Sequence, residues 1–220
     1  MNINDIYKVV SYLVDKYQGT YLSPDDFNMA VNTAQRQYLN FLTGETQEAT
    51  ATRRPGRYSG MQENVTIGGS LSVFLKEGTL TIASQLAAQP TDFYKISAMR
   101  TTNDDFSIRR VGADKIFAYV NNAIDAPTLT EPVYTEIGNN FKFFPNTLTS
   151  AKIVYFRKPA DAAWVPVTGT LTYDAGASVQ LEWPENDLND IIYRTIGIIG
   201  INLKDGDLVR ASLTVKNDGQ

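Results

Sequence analysis

The chain has 220 residues, a formal charge of −4, and neither cysteine nor histidine. These facts exclude disulfide frameworks, thiol and imidazole catalysis, and any metal site not built from oxygen ligands alone. The mild acidity gives no global reason to expect nucleic acid or an anionic membrane as partner, and the length suits one domain or a helical base carrying a β insert.

Ile3, Ile6, Val10, Leu13 and Tyr17 recur at three- and four-residue spacing, which predicts a first short helix ending at Gly19. Met1 to Tyr17 shows no basic segment followed by an apolar core, so no secretory signal is expected there. Ser23-Pro24-Asp25-Asp26 then reads as a helix start. Ser23 caps, Pro24 takes the first helical position, and Asp26 answers the cap. Phe27, Val31, Ala34, Tyr38 and Phe41 form the apolar face of this second helix, and Gly44 is its expected stop.

Periodicity is lost from Glu45 to Asn64, where Arg53, Arg54 and Arg57 flank Pro55-Gly56. This reads as a long loop or arm, and loops of that length are usually functional or mobile. The arginines suit three roles: contact with acidic residues of a partner subunit, contact with nucleic-acid backbone, or plain solvation.

A β region is expected from Val65 to Trp183. Val65, Ile67, Leu71, Val73 and Leu75 alternate with polar residues, and Lys76-Glu77-Gly78 reads as a turn into Thr79–Ile82. Further strands are predicted at Phe93–Thr101, Phe106–Arg110, Val133–Ile137, Asn140–Phe144, Ala151–Arg157, Trp164–Val167 and Ser178–Leu181. Gly138-Asn139-Asn140 is a hairpin turn, Asp104-Asp105 a hairpin tip, and Ala113–Asn121 an interrupting helix. From Pro184 a helix with acids in its first turn carries Leu188, Ile191, Ile192, Ile196, Ile198, Ile199 and Ile201. It is apolar nearly all round and should be covered on most sides, with Gly197 and Gly200 admitting a close neighbour. The longest apolar stretch, Ile191 to Leu203, is too short for a membrane span, which needs about 20 apolar residues. A last helical piece is expected at Leu208–Val215. A soluble, cytoplasmically made protein is the expectation.

No motif here carries catalysis. Gly68-Gly69 lacks the lysine and spacing of a phosphate loop, and Asp205-Gly206-Asp207 lacks the remaining ligands of a calcium loop. Glu131, Glu136, Glu182 and Glu185 could supply a glycosidase pair only if the fold brought two of them together. The aromatic-rich strands could stack on sugars, although Phe141, Phe143 and Tyr155 read more simply as core. No cofactor is expected.

Three stretches together resemble a known family. They are Ser23-Pro24-Asp25-Asp26-Phe27-Asn28 continuing as Ala30 to Leu42; Val154-Tyr155-Phe156-Arg157-Lys158-Pro159 followed by Trp164; and Leu181-Glu182-Trp183-Pro184-Glu185 running through Asp190–Arg194 to Gly200-Ile201. Their order resembles the neck proteins of tailed bacteriophages, the head-to-tail connector or ring proteins, most nearly those of crAss-like and related short-tailed phages. The resemblance implies a non-enzymatic virion protein forming a ring of twelve copies. It would sit below a portal, around the DNA channel, and bridge to tail components. A ring needs a head-to-tail contact that closes by rotation.

The expected fold is therefore α+β. Residues 1–44 and 184–220 form a helical base, 45–64 an arm, and 65–183 a β-sandwich-like or barrel-like antiparallel domain. Arg53, Arg54 and Arg57 are expected to contact partners, and Ile191, Ile192, Ile196 and Ile199 to pack between subunits. The alternative from a different class is a carbohydrate- or surface-binding β module on a helical anchor.

Overall fold

A computed structural model of the chain describes residues 1–18, 21–51, 65–122 and 126–202. The fold is α+β, with helices toward both ends and a sheet-rich middle. It divides into two compact units: residues 1–73 with 159–220, and residues 74–158. Segment 159–183, expected with the β domain, thus belongs to the helical unit. So does 65–73.

In the helical unit, α1 (Ile3–Gln18) buries Ile3, Ile6, Val10 and Val14, so its stripe passes through Val14 where Leu13 was expected. A cap unnoticed in the sequence starts it: Asn2 Oδ1 accepts from the Asp5 N–H at 2.9 Å, and Asp5 Oδ2 accepts from the Asn2 N–H at 3.2 Å. The predicted cap of α2 (Pro24–Ala51) forms as expected. The Asp26 N–H donates to Ser23 Oγ at 3.2 Å, and the Ser23 hydroxyl donates to Asp26 Oδ2 at 2.6 Å. Phe27, Ala30, Val31, Ala34, Tyr38, Leu39 and Leu42 make its buried face. Gly44 does not stop the helix, which runs through to Ala51. An interior glycine costs only about 1 kcal/mol relative to alanine, and Glu45, Gln47, Glu48, Ala49 and Ala51 are good helix formers.

The expected strand at Val65 is instead helix α3 (Val65–Ser72). Alternation at 65, 67, 71 and 73 is imperfect, while Ile67 and Leu71 also satisfy four-residue spacing, and Leu71 is buried. After a 3₁₀ turn at Glu185–Asp187, α5 (Leu188–Asn202) packs against α2 and α1. Between Leu188 and Gly200 only Asn189 is exposed, as the composition of the helix required.

The β unit is a two-sheet sandwich, and no closed barrel forms. One sheet has the order β1 (Leu75–Thr81), β7 (Ser150–Arg157), β3 (Phe93–Thr101), all antiparallel. The other has the order β2 (Leu86–Ala88), β6 (Asn140–Phe144), β5 (Val133–Ile137), β4 (Arg109–Arg110), with β4 and β5 parallel. Side chains alternate across each strand. Ile153 and Tyr155 of β7 therefore face Phe141, Phe143 and Tyr134 of the second sheet in one core. On the far side of the second sheet, Ile116 of α4 (Ile116–Val120) covers Val133 and Phe144.

Strands β3, β5 and β6 have the predicted ends. The turn expected at Lys76-Glu77-Gly78 is absent, because all seven residues of β1 pair with β7. The real turn lies at Ser84-Gln85, with φ of 51° and 70°, closed by reciprocal Ala83–Leu86 backbone bonds of 2.9 Å. Two successive positive φ values suit a tight hairpin, but Ser-Gln is not its usual sequence. The strands expected at 164–167 and 178–181 are reduced to isolated bridges, Ala163 with Val179 and Pro166 with Tyr173.

Candidate functional site

Within the helical unit, the first and third stretches named above meet together with Trp164 of the second, whose residues 154–158 belong to the β unit. Asn28 of α2 bonds both backbone groups of Trp164: the Trp164 N–H donates to Asn28 Oδ1 at 2.7 Å, and Asn28 Nδ2 donates to the Trp164 carbonyl at 3.0 Å. One turn on, Asn32 repeats this with Ala162, at 2.8 and 2.9 Å. Gln35 Nε2 then donates to the Ala160 carbonyl at 3.1 Å. Four residues along a helix rise about 6 Å, and two residues of extended chain span about 6.6 Å. The near match lets side chains of one helix face zip a straight strap of backbone, replacing a neighbouring β-strand.

Aromatic residues lock the strap. Trp164 stacks on Tyr7 with centroids 4.1 Å apart, and its indole N–H donates to Asn4 Oδ1 at 3.2 Å. The Trp183 indole N–H donates to Gln35 Oε1 at 3.3 Å, and its ring lies 5.0 Å from Tyr38. The Tyr38 hydroxyl donates to Asp187 Oδ1 at 3.0 Å. Burial, and then the Asp187 carboxylate beside it, push the Tyr38 phenol well above its ordinary range, so it stays a neutral donor. Arg194 of α5 lies over the rings of Tyr38 and Phe41, at 5.5 and 5.1 Å. These groups are engaged with one another. The cluster supplies architecture, and within it Asp187 Oδ2 is buried without a hydrogen-bond partner.

The four isoleucines expected between subunits are already inside the chain: Ile191, Ile192, Ile196 and Ile199 are 0%, 6%, 6% and 3% exposed. Their packing is intramolecular, because such burial leaves no side-chain surface to offer a neighbour. A nearly all-apolar helix first satisfies its own core. Arg53, Arg54 and Arg57 lie outside the described residues, as do Asp205-Gly206-Asp207 and the helical piece at 208–215.

The carboxylates weighed for glycosidase work divide between the two units and are engaged separately. Glu131 and Glu136 belong to the β unit, and Glu136 pairs with Arg110 at 3.3 Å. Glu182 and Glu185 belong to the helical unit, where Glu182 accepts from the Ala160 N–H at 2.9 Å and Glu185 pairs with the N-terminal amine at 3.1 Å. Among the described residues no three carboxylates gather as a metal site would require. Phe141, Phe143 and Tyr155 are core residues, so they form no sugar platform.

One open groove of about 260 Å³ lies at the end of the sandwich, lined by Asn103, Asp105, Phe106, Leu129 and the hydroxyls of Thr147 and Thr149 among others. Two further lining hydroxyls, Thr102 and Ser150, already bond each other at 2.5 Å. No described helix is long and apolar enough to cross a membrane. No protein-family model matches this chain, and no curated protein does.

Proposed function

We propose that this chain is a non-enzymatic virion structural protein that forms a ring in the head-to-tail connector of a tailed phage, bridging portal and tail around the DNA channel. The observation that supports this reading is that the first and third family-like stretches, with Trp164 of the second, meet in the helical unit. Stretches separated by more than a hundred residues build one zipped assembly of α2, the strap and the start of α5. In this reading the helical unit is the rigid base. Contact with a neighbouring subunit or stacked ring is assigned to Arg53, Arg54 and Arg57, which follow α2 in the chain. The partners are other copies of the chain, twelve by the resemblance, with portal and tail proteins.

Light scattering with negative-stain imaging of the purified chain tests this directly. Closed rings with a central hole are expected. A chain that stays monomeric alone and also fails to join particles refutes the proposal. The glycan-binding alternative has the Phe106 groove on its side, since a half-exposed ring beside hydroxyl and amide groups suits a sugar. A glycan array probed with the monomer separates the two.

A further inference from the structure

The two outer faces of the sandwich differ. That of the β2-β6-β5-β4 sheet is covered by α4. On the β1-β7-β3 sheet, Ala151, Ile153 and Tyr155 point into the core, so Lys152, Val154 and Phe156 point outward. Phe156 stands opposite Leu75 of β1, and Lys152 opposite Arg100 of β3. Lys152 also pairs with Asp104 at 2.5 Å, and Glu77 stands opposite Val154. The one described helix of the β unit, α4, lies on the other sheet. Leu75 is 45% exposed, Val154 and Phe156 are half-buried, and Arg100 is exposed. Lys95 of β3 also stands opposite Phe156, so the face sets Leu75, Val154 and Phe156 among three cations, Lys95, Arg100 and Lys152.

Charge divides between the units in a matching way. Residues 74–158 hold ten of the 20 lysines and arginines and eight of the 24 acids, a formal +2. The remaining residues hold ten and sixteen, a formal −6. The first turns of α2 carry this acidity beside exposed apolar side chains: Tyr21 is 65% and Met29 54% exposed, and Asp25 and Asp26 are exposed between them. An aromatic, a thioether and two carboxylates are the complement of the open sheet face.

We propose that the outer face of the β1-β7-β3 sheet is the docking surface for the start of α2 of a second copy of this chain. The inference rests on the ring reading and supplies its head-to-tail contact. Such a contact joins two different patches, as ring closure requires, whereas a two-fold dimer would join like to like. Opposite charge sets polarity and register, and Leu75 and Phe156 against Tyr21 and Met29 supply the apolar part.

The test is a charge swap on the full-length chain, read by sedimentation across concentration and salt. Wild type is expected to self-associate, less as salt rises. The variants Arg100→Glu/Lys152→Glu and Asp25→Lys/Asp26→Lys should each weaken association by about tenfold or more. A one-to-one mixture should restore it, since each reversed patch then meets its complement. Thermal unfolding of each variant separates lost docking from lost fold, and the restored mixture does so again. Wild-type assembly that neither reversal weakens overturns this contact and leaves the ring reading standing. A wild type that never self-associates overturns the contact and counts against a self-sufficient ring. Duplex DNA that binds wild type and is lost in Arg100→Glu/Lys152→Glu, with self-association unchanged, assigns the face to phosphate backbone and overturns the proposal.

Discussion

Replacing Asn32 with leucine isolates what holds the strap. Asn32 Oδ1 accepts from the Ala162 N–H and its Nδ2 donates to the Ala162 carbonyl; Oδ1 also accepts from Gln35 Nε2 at 2.7 Å. Ala162 is only 1% exposed, so water cannot replace the lost amide unless the strap lifts. Each orphaned buried polar group costs about 1–3 kcal/mol, or about 2–5 for the pair on Ala162. The leucine regains about 1 kcal/mol at most at a half-buried position. The expected loss is about 1–5 kcal/mol, a fall in Tm of roughly 2–20 °C for a chain of this size. Both tryptophans of the chain, Trp164 and Trp183, are buried beside the strap, so their emission during urea unfolding reads this unit directly. Arg36→Ala is the control. It also removes a bond from α2 to the strap, the 2.7 Å pair with Asp161, but both groups are more than 60% exposed and should contribute under about 1 kcal/mol. If the two substitutions cost the same, or Asn32→Leu costs less than about 0.5 kcal/mol, the strap is not held by its buried amides.

Other outcomes follow from the same structure. Replacing Arg53, Arg54 and Arg57 together with serine should reduce incorporation into particles while urea unfolding of the monomer is unchanged; normal incorporation removes them from the contact. Phe141→Ala, at a fully buried ring 5.5 Å from Phe93 and 5.8 Å from Tyr134, should cost about 3–5 kcal/mol by thermal unfolding. Ser23→Ala should cost about 0.5–2 kcal/mol by removing the α2 cap. Burial first, and then Glu136, push the Tyr134 phenol up to about 12, and burial raises Tyr38 further. A raised folded-state value means the folded chain keeps protons that the unfolded chain releases above pH about 10. This contribution is therefore full below pH about 10 and is lost as pH rises through about 12. Tyrosinate absorbance should show these two phenols silent until the chain unfolds in alkali.

Features that depend on neighbours a few residues away were legible in the chain. The α2 cap is a reciprocal bond between Ser23 and Asp26, three residues apart, and β3, β5 and β6 have the ends predicted from the sequence. The Gly138-Asn139 turn needs only the positive φ of 59° that glycine allows. The absence of histidine and cysteine was equally readable, and it removed thiol and imidazole chemistry outright. The rest was settled by contacts between distant segments. Residues 75–81 form one strand because β7 pairs with every residue of them, and that partner lies some seventy residues on. The strap belongs to the helical unit because Asn28 and Asn32 reach it across 136 and 130 residues. In sequence those asparagines look like ordinary polar positions on a helix flank. The isoleucines of α5 announced burial, but burial against what was a property of the fold. Apolar periodicity measures how much surface must leave water, whereas the partner that covers it is chosen by packing among segments far apart in the chain.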